Sequence, residues 1–437
     1  MGFLNGGKAW SDEQIIIMRA KLASMKPSTT LKSVAEELQL QPEFEGRTWK
    51  AIHAKMRRMR ARVHHVSPVN QPTEEDKPDP TDARVLALEQ QLHTQKEETK
   101  KYKAKANARM KTDALFSALA DHASELITPF KPAPMKLPTR KTGATKESLV
   151  LHLSDGHCDQ VVLPSRCGGM EEYNLQVAMA RGERLVDSTL DWAINHLIDF
   201  EFEELIILAY GDHVNGEIHG SVHHSEYLNT MKNTLAVGQL HAQMIRELAA
   251  YFPQVNVLYL SGNHGRRTTK KEMEGPQNNW DWMVSQMAAA YLRDVDNVSI
   301  QAPDSFDAMI NIRGWNFHVQ HGDDIRSFNS IPWYGIERAT RRMQSLKAVQ
   351  GEAVHYNVFG HFHQCGTTPH TAGETIINGA WLGTTPYVYN SLKSYSEPTQ
   401  LLHGVHKKHG MSWRLPVRLK FKGDTDGPKR YKVEFSE

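Results

Sequence analysis

The sequence is poor in the features that mark secreted and membrane-embedded proteins. It contains only 3 cysteines in 437 residues, which is too few for a disulfide framework and is typical of a reducing compartment. No apolar run approaches the roughly 18 residues that a membrane-crossing helix needs. The opening residues, MGFLNGGKAW, contain no apolar signal core. We therefore expect a soluble, cytoplasmic protein with no membrane partner.

Net charge is also small, at +2 for the whole chain, but it is unevenly distributed. Residues 1–66 contain 12 Lys and Arg against 6 Asp and Glu, a balance of +6, which leaves −4 for the remainder. A basic segment attached to a mildly acidic body predicts contact with a nucleic acid or another polyanion at the N-terminal end.

Two proline-rich linkers divide the chain into three zones. The first linker, at 66–82, carries four prolines, and the second spans 128–147. Residues 8–65 read as helical. Residues 83–127 are also helical, either as a solvated spacer or as a short coiled coil, because heptad spacing at Val85, Leu88 and Leu92 is not continued by Gln95 and Thr99. Residues 148–437 alternate short apolar strands with helical stretches, which predicts an α/β domain.

In this third zone, five predicted strands end in the same kinds of side chain. They are SLVLHLSDGH, ELIILAYGDHVNG, VNVLYLSGNHG, WNFHVQHGDD and HYNVFGHFH. Ligands of α/β sheets gather outside the carboxyl ends of the strands, so we expect the five ends to converge on one site. The candidate residues are Asp155, His157, Asp212, Asn263, His321, His361 and His363.

Carboxylate, amide and imidazole groups together suit first-row metals such as manganese, iron or zinc. Seven ligands exceed the needs of one ion, but two ions about 3.5–4 Å apart would use them. Asp212 is the predicted bridge, since its two oxygens can each face one ion. Such a pair would neutralise a phosphate group and activate water.

Read in order, these blocks resemble the signature of the calcineurin-like metallophosphoesterases over residues 148 to 385. The resemblance implies a four-layer β-sandwich flanked by helices, with catalytic blocks similar to those of SbcD-type nucleases. It implies a first metal site and a second metal site that share Asp212. The first is formed by Asp155, His157, Asp212 and His363, and the second by Asp212, Asn263, His321 and His361. His264 is implied to be the residue that protonates the leaving oxygen or steadies the phosphate.

The sequence departs from the family at Gly265, where an Asp or Glu commonly follows the histidine. That acid orients the histidine and raises its pKa, so another group is needed for this role or His264 is a weaker acid. The adjacent histidines His213, His219, His223 and His224 match no ligand position and are predicted to lie at the surface.

The N-terminal zone resembles a Myb/SANT-type helix-turn-helix. Ser11 is a plausible cap of the first helix, and Ile52, Met56 and Met59 give the third helix an apolar face. In this family the third helix enters the DNA major groove. The predicted DNA-contacting residues are Lys50, Lys55, Arg57, Arg58, Arg60 and Arg62. A protein-binding module with a solvated basic face is the alternative.

Together these features predict a two-metal-dependent phosphodiesterase, most simply a DNA nuclease or DNA-processing enzyme. Basic residues after His264, in GRRTTKK, favour a polyanionic substrate, and Trp333, Tyr334 and Trp381 are candidates for stacking on bases.

Mn²⁺ is the expected metal, with Fe, Zn, Mg and Ni as alternatives. DNA is the expected partner, a homo-oligomer is compatible with the sequence, and the modular organisation suits a phage enzyme acting in the host cytoplasm. The other functions considered are a phosphatase or cyclic-nucleotide phosphodiesterase, and a DNA-bound adaptor without turnover.

Overall fold

A computed structural model describes residues 11–24, 29–46, 48–63, 143–218, 224–268, 275–326 and 332–435, together with the single positions 96, 99, 100, 103 and 140. The chain divides into two compact units, Met1–Lys103 and Ala104–Glu437. The predicted linker at 66–82 lies outside the described residues, as do nearly all of 83–127 and 128–139. Among the described helices, none has the length and apolar character that crossing a membrane requires.

Within residues 11–63, the described part of the first unit contains three packed helices, with a short 3₁₀ turn at Pro42–Phe44. They are α1 (Asp12–Ala23), α2 (Leu31–Gln39) and α3 (Trp49–Val63). The predicted cap is confirmed, because the Ser11 side chain accepts a hydrogen bond from the Gln14 amide and the Gln14 side chain accepts one from the Ser11 amide. Ile52 and Met56 of α3 are fully buried against α2, and Met59 packs at their edge, so the predicted apolar face of α3 is confirmed.

The second unit is a mixed α/β fold with two mixed sheets. The first sheet has the strand order β11-β10-β1-β2-β3-β4. Its strands are β1 (Thr145–Leu153), β2 (Phe200–Tyr210), β3 (Val255–Leu260), β4 (Val298–Gln301), β10 (Thr399–His406) and β11 (Gly410–Arg418). β1 to β4 run parallel, and β10 joins β1 antiparallel. β1 begins three residues before the sequence-derived domain boundary at 148.

The second sheet has the order β5-β6-β7-β9-β8. Its strands are β5 (Asp307–Ile312), β6 (Trp315–Gln320), β7 (Tyr356–Phe359), β8 (Gly366–His370) and β9 (Gly373–Ile377). β6, β7 and β9 are parallel. The ends of β6 and β7 therefore lie at the same edge of this sheet.

The strands alternate between two cores, as period-2 side chains must. Leu149 and Leu151 of β1 pack beneath helices, whereas Val150 packs between the two sheets. The longer helices are α4 (Leu175–Asp191), α5 (Thr230–Ala249), α6 (Trp280–Tyr291) and α7 (Pro332–Val349). α4 to α6 cover the first sheet, and Ile336 of α7 packs on the second. The result is a helix–sheet–sheet–helix arrangement of four layers.

Candidate metal centre

The structure brings the seven side chains named as metal ligands together. Asp155 and His157 follow β1, Asp212 follows β2, and Asn263 follows β3 in the first sheet. His321 follows β6, and His361 and His363 follow β7 in the second. The site therefore lies where the carboxyl ends of parallel strands from both sheets meet. All but His361 and His363 are buried.

Five of these residues adopt the left-handed backbone region that side chains other than glycine rarely occupy. The φ angles are 52° at Asp155, 40° at His157, 53° at Asp212, 64° at His361 and 55° at His363. Only two other non-glycine residues of the described chain, Arg313 and Lys393, share this conformation. Strained backbone that gathers at one place is typical of a functional site, because the surrounding structure must hold it.

One cluster contains Asp155, His157 and His363, whose potential ligand atoms lie within 4.8 Å of one another. Nε2 of His157 lies 3.4 Å from Nε2 of His363. Nε2 of His363 in turn lies 3.4 Å from Oδ1 of Asp155. The carboxylate Oδ2 of Asp212 is 4.0 Å from Nε2 of His157.

The second cluster contains Asp212, His321 and His361, again within 4.8 Å. Nε2 of His321 lies 2.9 Å from Oδ2 of Asp212 and 3.1 Å from Oδ1 of Asn263. One oxygen of Asp212, Oδ2, therefore lies near histidines of both clusters, whereas its Oδ1 accepts the His264 amide. The predicted bridging role, with one oxygen for each ion, stays a prediction.

Hydrogen bonds from neighbouring backbone and side-chain groups orient the candidate ligands. Nδ1 of His321 lies 2.9 Å from the Tyr210 carbonyl, an acceptor, so Nδ1 carries the proton and Nε2 is directed into the site. Ser154 Oγ donates to Oδ2 of Asp155 at 2.6 Å, and the His361 amide donates to Oδ1 at 2.8 Å. The amide of His264 donates to Oδ1 of Asp212 at 2.8 Å.

The charges of the site are set by burial and by the contact between Asp212 and His321. Burial opposes ionisation of Asp212, but the nearby His321 and His264 outweigh it and hold the pKa of this carboxyl well below its usual range. Burial also opposes protonation of His321, yet Asp212 outweighs it and raises the pKa of His321 to about 10. Burial lowers the pKa of His361 to about 4. A buried carboxylate thus keeps its negative charge and draws a cationic partner.

His264 lies beside these clusters, with its ring 4.6 Å from that of His157. Its Nδ1 is 3.2 Å from the carbonyl of Asn215, which accepts the hydrogen bond. This hydrogen bond orients the His264 ring. At Gly265 a Cβ atom would collide with Oδ1 of Asn279, so the close packing of this loop explains the glycine.

Asp281, near the start of α6, is a functional residue that the sequence reasoning missed. Its buried carboxylate accepts hydrogen bonds from the amides of Asp212 at 2.8 Å, His213 at 2.9 Å and Gly262 at 2.9 Å. It therefore joins the loops after β2 and β3. These loops also approach closely at Gly211, where φ is +94° and a Cβ would lie 2.5 Å from Gly262. Asp281 and Asp212 are 69 positions apart in the chain. No sequence pattern indicates a contact between residues at that separation.

Two expectations about neighbouring residues were wrong. His213 is buried rather than at the surface, and its ring packs 4.8 Å from that of His241. Trp381 is fully buried in the helix-side core, where no base can stack on it. His224, Trp333 and Tyr334 are exposed, and His219 and His223 lie outside the described residues.

The basic residues of the N-terminal unit lie on α3. Lys50 and Arg57 are exposed and Lys55 is half-buried. The side chains of Arg58, Arg60 and Arg62 lie outside the described part of the chain. Lys50 and Arg57 are seven residues apart, so they share a helix face, and that face is opposite to the buried Ile52 and Met56.

No family model matches this sequence, and no curated protein matches it. Solved structures do match, at low similarity. An archaeal phosphodiesterase has 10% identity and a TM-score of 0.29, covering 62% of this chain and 99% of its own. A hypothetical protein from Pyrococcus horikoshii OT3 has 9% identity and a TM-score of 0.34, covering 64% and 92%. Wild-type Vps29 from Entamoeba histolytica, complexed with Zn²⁺, has 11% identity and a TM-score of 0.26, covering 62% and 99%. At these TM-scores the functional argument rests on this chain's own residues.

Proposed function

We propose that this protein is a two-metal-dependent phosphodiesterase whose substrate is DNA. The observation that carries the proposal is the buried carboxylate of Asp212, which two clusters of nitrogen and oxygen donors share. Paired metal sites are used by phosphatases and nucleases, where each ion contacts one of the oxygens that exchange at phosphorus.

The donor atoms fit divalent cations. Nε2 atoms of His157 and His363 face each other at 3.4 Å, and a cation between two imidazoles would satisfy both lone pairs. Asp155, His157, Asp212 and His363 would hold one ion, and Asp212, Asn263, His321 and His361 the other. This mixture of imidazole, carboxylate and amide suits Mn²⁺, with Fe, Zn, Mg or Ni as alternatives. When bound, such ions neutralise phosphate charge and act as Lewis acids.

His264 supplies the acid in this proposal. The Asn215 carbonyl accepts a hydrogen bond from Nδ1, so Nε2 is the ring nitrogen left to donate a proton to the leaving oxygen. The His264 amide binds Asp212, which fixes the position of the acid relative to the shared carboxylate. Asp281 acts through the backbone, because it holds the loops that carry Asp212 and Asn263.

DNA is favoured as the substrate by the balance of +6 in residues 1–66 and by the exposed Lys50 and Arg57 of α3. A basic module linked to a hydrolase raises the local concentration of a polyanion at the catalytic site. A helix-turn-helix contact by α3 in the major groove would provide this binding.

Replacement of the shared carboxylate tests the proposal. Asp212→Asn keeps the shape of the side chain but removes a negative charge, so bound Mn²⁺ and hydrolysis of methyl p-nitrophenyl phosphate should fall together. Metal content is measured by elemental analysis and hydrolysis by nitrophenolate release. Full manganese-dependent activity in Asp212→Asn would overturn the two-metal assignment. Metal binding without hydrolysis of any diester or monoester by the wild-type protein would favour the adaptor instead.

A further inference from the structure

A groove of about 380 Å³ lies between the loop that follows β1 and the segment around Tyr387. This volume is in the range of small-molecule sites, about 300–1,000 Å³. The residues that line it are Gln160, Val161, Leu163, Arg166, His224, Ser225, Thr385, Pro386 and Tyr387. None of them belongs to the donor clusters described above.

The groove adjoins those clusters through the backbone. The Gln160 amide donates to the His157 carbonyl at 2.8 Å, which closes a turn and keeps these Cα atoms within about 7 Å. On the opposite wall, Thr385 comes four residues after Trp381, whose amide donates to the Asp155 carbonyl at 3.0 Å. One wall is therefore continuous with the loop that carries His157, and the other is hydrogen-bonded through Trp381 to the loop that carries Asp155.

Direct contacts hold the two walls of the groove together. The side chain of Asn390 donates to the Arg166 carbonyl at 3.4 Å. At Gly168, where φ is +62°, the Tyr389 ring approaches so closely that a Cβ atom would collide with it. A side chain at this position would push the two walls apart, and the glycine is what allows the groove.

The chemistry of the lining is aromatic on one side and cationic on the other. Tyr387 is 67% exposed and lines the groove, so its ring is accessible to a ligand there. Arg166 is exposed as well, and none of the described residues forms an ion pair with its guanidinium. An aromatic face stacks on nucleobases, and a free guanidinium binds phosphate oxygens.

We propose that this groove binds the nucleotide next to the scissile phosphate, with its base stacked on Tyr387 and its outer phosphate at Arg166. The inference rests on the proposed phosphodiesterase function and specifies its substrate as a single-stranded, base-bearing diester at the cleavage point. Stacking on a ring does not select one base, because every base has a π-face. Cleavage is accordingly tolerant of sequence.

Three diesters with the same nitrophenolate leaving group test this inference. They are thymidine 5′-(p-nitrophenyl phosphate), thymidine 3′-(p-nitrophenyl phosphate) and methyl p-nitrophenyl phosphate. The wild-type protein should hydrolyse at least one thymidine ester with a higher kcat/KM than the methyl ester. Tyr387→Ala should reduce that advantage by about 5- to 150-fold, the range for one base–aromatic stack. It should leave the methyl ester unchanged, and Tyr387→Phe should behave as wild type.

The Arg166 contact is tested with oligothymidylate. Arg166→Ala should weaken its binding, measured calorimetrically, and reduce the log–log salt slope by about one unit or less. Arg184→Ala, an exposed arginine on α4, is the matched control and should change neither quantity. If the wild-type protein and Tyr387→Ala each hydrolyse all three diesters with the same kcat/KM, the groove assignment is overturned. The proposed phosphodiesterase activity would still stand. Failure of the wild-type protein to hydrolyse any of the three would overturn the proposed function itself.

Discussion

At the scale of single residues, proton donation by His264 can be measured separately from metal binding. Its ring is oriented by a neutral backbone carbonyl, that of Asn215, rather than by a carboxylate. A carbonyl orients the imidazole but contributes less to the stability of its charged form than an anion does. His264 is not one of the proposed metal ligands, so its replacement separates proton transfer from metal binding.

For this reason, His264→Ala should retain both metals and lose activity by about 10²- to 10⁴-fold on a diester with an alkoxide leaving group. The loss should be much smaller with nitrophenolate, because that oxygen leaves without a proton. The measurement is kcat for the two leaving groups alongside elemental analysis. Equal losses on both would show that His264 positions the phosphate instead of protonating it.

Gly265 gives a second residue-scale prediction. Gly265→Ala places a methyl group against Asn279, whose side chain is already held by the Gly262 carbonyl at 3.0 Å and the Asp281 amide at 2.8 Å. We expect a loss of stability of roughly 1–3 kcal/mol, which is usual for overpacking, and weaker metal binding because Asp281 shifts. Gly275→Ala is the control, since its Cβ would meet only Asp304 at 3.7 Å. Urea unfolding compares the two variants, and equal stability would show that the loop relaxes.

Residue patterns predicted the ends of the strands better than the contacts between loops. The apolar runs before Asp155, Asp212 and His321 predicted strands that end at the site, and the structure has β1, β2 and β6 there. The roles of these side chains as metal ligands stay predictions. Asp281 and the Asn215 carbonyl were missed because they act across loops that only the folded backbone brings together. His213 was misjudged because a polar residue after a strand resembles a surface residue until a neighbouring helix covers it.

At the scale of elements, α3 has a buried apolar face and an exposed face with basic residues. Ile52 and Met56 are buried, and Lys50 and Arg57 are exposed. If the exposed face contacts DNA phosphates, Lys50→Glu with Arg57→Glu should weaken duplex binding and make the log–log salt slope shallower by about 2 units. Gel-shift titration at several salt concentrations measures both quantities.

The control for this pair reverses the same amount of charge elsewhere. Arg19→Glu with Lys408→Glu changes two exposed residues outside α3 and should leave the slope near its wild-type value. An identical loss in both double variants would mean that net charge, and not the α3 face, governs DNA affinity. Unchanged affinity in the α3 variant would favour a protein-binding role for this module.

For the molecule as a whole, the core between the two sheets makes stability depend on pH. His403 is fully buried beside Phe317, and burial lowers its pKa to about 3, whereas an unfolded histidine has a pKa of about 6.5. As pH falls through 6.5, the unfolded chain gains a proton that the folded chain does not. The free energy of unfolding therefore decreases towards acid, by roughly 2 kcal/mol at pH 5. Burial lowers the pKa of neighbouring His152 in the same direction.

His403→Leu removes one of these acid-sensitive groups and keeps a side chain of similar volume. The difference in unfolding free energy between variant and wild type should move in favour of the variant as pH falls from 7 to 5. Urea unfolding at several pH values provides the measurement. His409→Leu, at an exposed hairpin position, is the control. A pH-independent difference for His403→Leu would mean that folding does not shift the pKa of His403.

The division into two units leads to the last prediction, that hydrolysis and DNA affinity can be separated by truncation. Every donor and His264 belong to the unit Ala104–Glu437, whereas the basic excess lies in residues 1–66. A chain of residues 136–437 keeps Arg140, which donates to the Ile194 carbonyl at 3.3 Å, and all of β1. It should hydrolyse methyl p-nitrophenyl phosphate with wild-type kcat/KM and bind duplex DNA more weakly, with a shallower salt dependence. Unchanged duplex affinity in this shorter chain would assign DNA binding to the catalytic unit alone, and residues 1–66 would then need a protein partner to explain their exposed basic face.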